Sequence, residues 1–75
     1  MKYLVIIQDG SRKEFCLEMR QSAAIDFLDN VINNILPDMS SGNRASLKKM
    51  LQNSDENVQS VTLHAVRFSF MFSGF

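Results

Sequence analysis

A chain of 75 residues with zero formal net charge, 45% hydrophobic and 21% charged, is one small folded domain. It is neither a disordered segment nor a polybasic nucleic-acid binder. A domain this short buries only about 60–65% of its unfolded surface and usually adds a disulfide, a metal or a partner subunit. Cys16 is the only cysteine and His64 the only histidine, which excludes an internal disulfide and a Cys/His zinc cage and leaves association.

The apolar run from Tyr3 to Ile7 is too short for a signal-peptide core or a membrane span. The expectation is a cytoplasmic protein with a reduced thiol and no membrane partner. Residues 2–8 are rich in β-branched side chains and end at Asp9-Gly10, the pattern of a strand running into a tight turn. Neither face of that strand is polar, so it is expected to be central and covered on both sides. Residues 13–20 alternate, with Phe15, Leu17 and Met19 on one face and Glu14, Glu18 and Arg20 on the other. The two strands form a hairpin whose register depends on loop length. A two- or four-residue loop sets Phe15 beside Leu4 and Ile6, and a bulged three-residue loop sets it beside Tyr3 and Val5.

Ser22 is a suitable N-cap for a helix in which Ala24, Leu28, Val31, Ile32 and Ile35 recur at helical spacing. Pro37 disfavours helical geometry at Leu36 and ends it. After a polar connector over 38–42, Asn43 can cap a second helix running to Gln52, with Ala45, Leu47, Met50 and Leu51 apolar. Residues 53–57 form a polar loop. In the final segment the apolar phase changes. Val61, Leu63 and Ala65 fall on odd positions, whereas Val66, Phe68, Phe70 and Phe72 fall on even ones. A straight strand over 58–72 would span ~50 Å at ~3.3 Å per residue. The whole domain should be only ~30 Å across. The strand must therefore bend at a bulge near Ala65, split in two, or extend onto a partner. The expected fold class is α+β, a small single-layer antiparallel sheet with two helices packed on it, in the order β-β-α-α-β.

Chemistry-bearing groups are sparse. His64 has no nearby Ser, Cys or Asp at a motif spacing and fits the polar side of a strand. Cys16 is flanked by Glu14 and Glu18, which work against a reactive thiolate. No phosphate loop, nucleophile elbow or metal-binding helix motif is present, so no catalytic residue, cofactor or metal is expected. What remains is surface. Asp26, Asp29, Asn30 and Asn33 make a flat polar helix face suited to a protein partner, and Arg44, Lys48 and Lys49 make a basic stripe. Four of the six phenylalanines lie between positions 68 and 75. Val66, Phe68, Phe70 and Phe72 read either as a core strand under the first helix or as a self-association strand, and the two readings are compatible if one half faces inward and the other a partner. The chain therefore reads as a non-enzymatic protein-binding module that forms a homodimer through its C-terminal strand, a stoichiometric regulator or inhibitor. The alternative is a nucleic-acid-binding regulator using the basic second helix.

Overall fold

The computed structural model describes residues 2–73. Phe75, counted above in the aromatic tail, lies outside them. The strands are β1 (Lys2–Asp9), β2 (Arg12–Glu18), β3 (Gln59–Leu63) and β4 (Val66–Ser73), and the helices are α1 (Gln21–Ile35) and α2 (Ser41–Gln52). All strand pairs are antiparallel, and the sheet order is β2-β1-β4-β3. The fold is α+β, one sheet with both helices on one face, and its extents are 33 × 26 × 18 Å. The expected last strand is split into two. A two-residue turn at His64-Ala65 folds β3 back onto β4, with Leu63 opposite Val66.

That turn explains the phase change. Val61 and Leu63 must face the helices, and so must Val66, Phe68 and Phe70. Two turn residues, whose side chains serve neither strand, restore the register across the reversal. His64 and Ala65 take φ values of 53° and 64°. Positive φ at both central residues is what matches a two-residue hairpin to the natural twist of its strands. His64 therefore sits at an exposed turn and not along the polar side of a strand. The β1–β2 hairpin also closes with two residues, Gly10-Ser11, with Gly10 at φ 62°. This loop puts Ile6 opposite Phe15 and Leu4 opposite Leu17, the first of the two registers left open by the sequence.

Side chains alternate across the sheet. The inner face, under the helices, carries Val5 and Ile7 from β1 and Val66, Phe68 and Phe70 from β4. They meet Ala24, Leu28, Val31 and Ile32 of α1 and Leu47 and Leu51 of α2 in one core. Each fully buried Phe, Leu or Ile contributes ~1.5–3 kcal/mol relative to exposure. Phe72, the last of the expected self-association residues, stacks tilted on Tyr3 with ring centroids 4.4 Å apart.

Both helix starts differ from expectation. Arg20 occupies the N-cap position of α1 without a side-chain cap. The Gln21 amide instead donates to the Tyr3 hydroxyl at 3.2 Å and the Gln52 carbonyl at 3.4 Å. A tertiary clamp anchors this helix end, so Ser22 falls inside the first turn. For α2 the cap is Ser40, whose hydroxyl accepts the Asn43 N–H at 3.2 Å, so Asn43 is the capped residue and not the cap. Among the described residues no helix is long and apolar enough to cross a membrane.

Candidate functional site

The structure brings the two polar helix stripes together. Lys48 Nζ lies 3.1 Å from Asp29 Oδ2. Arg44 donates to Asn33 Oδ1 at 2.8 Å, to the Pro37 carbonyl at 3.2 Å and to the Met39 carbonyl at 3.2 Å. Four of the seven residues expected to bind a partner, Asp29, Asn33, Arg44 and Lys48, thus hold α1, its following loop and α2 to one another. The side chains of Asp26, Asn30 and Lys49 remain exposed and without a hydrogen bond or ion pair among the described residues. A phosphate-gripping basic helix is reduced to one uncommitted cation, Lys49.

The aromatic strand is equally committed. Val66, Phe68 and Phe70 are 2%, 0% and 1% exposed, and β4 is flanked by β1 and β3. Their side chains are inside one subunit; β4 pairs with β1 along its whole length and with β3 from Val66 to Phe70, and beyond that the Phe72 N–H donates to the Asp55 carbonyl at 2.7 Å. A two-residue turn and two covering helices place Val66, Phe68 and Phe70 in the core of one subunit, while Phe72, the fourth residue of the expected self-association strand, is half-buried.

His64 and Cys16 are far apart in role and setting. His64 shares the rim of a half-open cleft of about 220 Å³ with Leu36, Pro37, Asp38 and Met39. Cys16 packs against the edge of the core. Burial, reinforced by the Glu18 carboxylate and opposed by a hydrogen bond to the Val5 backbone, pushes its thiol from 9.0 up to about 11. Among the described residues no group of three or more His, Cys, Asp or Glu side chains comes together.

The surface with content is the outer face of the sheet, opposite the helices. The expectation that β1 is covered on both sides fails there, because both helices pack on the same face. The ladder pairings arrange this face in rows. One row is Lys13, Gln8, Arg67 and Thr62. The next is Phe15, Ile6, Ser69 and Ser60, where the two serine hydroxyls lie 2.8 Å apart. The third is Leu17, Leu4 and Met71, with Val58 continuing it beyond the end of β3. Lys2 and Ser73 close the far end. Phe15, Leu17, Met19 and Val58 are 67%, 42%, 72% and 61% exposed, whereas Leu4, Ile6 and Met71 are half-buried between their neighbours. The signal for this face was present in Leu4 and Ile6 of β1 and in Phe15 and Leu17 of β2. Two short helices can cover only one side of a four-stranded sheet. No protein-family model, curated protein or solved structure matches this chain.

Proposed function

We propose that this chain is a non-enzymatic protein-binding module that works as a stoichiometric regulator or inhibitor, and that the outer sheet face is its docking surface. One observation carries this reading: Phe15 and Leu17 are exposed on the same face as Leu4, Ile6 and Met71, forming a contiguous apolar block. Monomeric proteins seldom leave large apolar patches uncovered unless the patch is used. β2 is also an edge strand, so backbone pairing is available beside the side-chain surface. The test is affinity isolation from the native cell with the tagged wild-type chain and a Leu17→Asp variant, each with and without nuclease. A protein held by the wild type, lost by the variant and indifferent to nuclease is the expected result. Equal capture by both chains sinks the reading.

A further inference from the structure

We infer that the outer sheet face takes an acidic protein segment, one presenting apolar side chains with carboxylates flanking them. The inference rests on the docking surface proposed above and specifies the chemistry of its occupant. The charged residues of the face are Lys2, Lys13 and Arg67, and no carboxylate points outward among the described residues of the sheet. The acidic residues of β2, Glu14 and Glu18, alternate onto the helix side with Cys16, and Glu14 is held by Arg12 at 3.2 Å. Lys2, Lys13 and Arg67 make no ion pair among the described residues.

Their placement is regular. Lys13 and Arg67 stand on either side of Gln8 in one row, two strand spacings apart, or about 10 Å. Lys2 is six residues along β1 from Gln8, about 20 Å away. The apolar block lies between the two cationic ends. A partner that fills the block with aliphatic or aromatic side chains and sets carboxylates at its borders meets every charge on the face with its opposite. The plane itself, four strands of five to eight residues, is about 440 Å². That suits a modest, exchangeable interface, since standard interfaces cover about 800 Å² per partner.

Two other occupants fit less well. A second copy laid face to face adds three more cations and no carboxylate, so each ionic contact between the copies is repulsive. A single-stranded nucleic acid would use aromatic platforms for base stacking. Among the described residues of this face only Phe15 is aromatic, and it stands on an edge strand, while Leu4, Ile6, Leu17 and Met71 have no ring to offer.

The experiment is selection of peptides from a random displayed library against the immobilised full chain, followed by titration of the enriched peptides. Peptides of net negative charge with apolar residues should be enriched. Their binding should weaken about tenfold or more with Leu17→Asp, weaken with added salt, and reverse toward basic peptides in a Lys13→Glu/Arg67→Glu variant. The charge-reversed pair changes only exposed residues, so it keeps the test valid if Leu17→Asp fails to fold. Neutral or basic peptides that still depend on Leu17 overturn the acidic partner and leave the docking surface standing. Failure to enrich any peptide, or binding unaffected by Leu17→Asp, overturns both. A wild-type dimer in sedimentation that Leu17→Asp dissolves assigns the face to a second copy. Binding of oligothymidine that Arg67→Glu abolishes assigns it to nucleic acid. Either result overturns the inference.

Discussion

The guanidinium of Arg44 donates to the side-chain carbonyl of Asn33 at 2.8 Å, joining the middle of α2's first turns to the last turns of α1. The same side chain also donates to the Pro37 and Met39 carbonyls, each at 3.2 Å. A planar donor fork reaches all three, which a lysine ammonium on a flexible stem does not reproduce. Arg44→Ala should therefore cost about 1–2 kcal/mol, lowering the melting temperature by several degrees, and Arg44→Lys should recover less than half of the loss. Urea unfolding of the three proteins checks this. A melting point unchanged in Arg44→Ala would mean the fork is not a structural staple.

The His64-Ala65 turn holds two side-chain-bearing residues in the left-handed region. Such a backbone costs a residue with a Cβ roughly 1–2 kcal/mol, part of which glycine gives back through its greater freedom when unfolded. Ala65→Gly should stabilise the protein by about 0.5 kcal/mol, and Ala65→Val should destabilise it by more than about 1 kcal/mol. Paired denaturation curves decide the matter. A destabilised Ala65→Gly protein would contradict the strained turn.

The two faces of the sheet should respond oppositely to substitution. Phe68→Ala or Phe70→Ala opens a cavity in the core and should cost about 3–5 kcal/mol, enough to unfold much of a domain this small. Phe15→Asp on the outer face removes only cross-strand contact with Ile6 and should cost less than about 1 kcal/mol. Circular dichroism melts distinguish the faces. Comparable losses at Phe15 and Phe68 would show that the outer face is held as firmly as the core.

Cys16 supplies a pH dependence. Its thiol is raised to about 11 in the folded chain, from 9.0, chiefly by burial and secondarily by the Glu18 carboxylate. Between these values the unfolded chain has released the proton while the folded chain retains it. The unfolded state then binds fewer protons, and stability must fall as pH rises from 9 towards 11. Cys16→Ala should flatten that part of the stability–pH curve. At pH 8 the folded thiol should react with iodoacetamide far more slowly than in denaturant. Equal rates in the two states would remove the burial argument.

Much of the architecture was legible before the fold was known. Alternation over Phe15, Leu17 and Met19, helical spacing from Ala24 to Ile35, and the stop at Pro37 each express a local period or a local steric rule. The phase change around Ala65 announced a reversal in the same way, though pattern alone does not separate a bulge from a hairpin. The candidate site was less legible. Asp29, Asn33, Arg44 and Lys48 read as open surface because nothing local indicates that two helices will turn those stripes toward each other. Phe68 and Phe70 read as either core or adhesive because their enclosure depends on two helices that lie well before them in the chain.

The amino-acid sequence by itself determined where strands and helices form and which residues share a face, since both follow from periods of two and 3.6 residues. Only the tertiary structure decided which of two apolar faces would be covered. Both faces of β1 offered hydrophobic surface, and both helices settled on the side that Val5, Ile7, Phe68 and Phe70 make continuous. Coverage is a property of the assembled layers: two helices of this length span one side of the sheet, and Phe15, Leu17 and Leu4 on the other side are left facing outward.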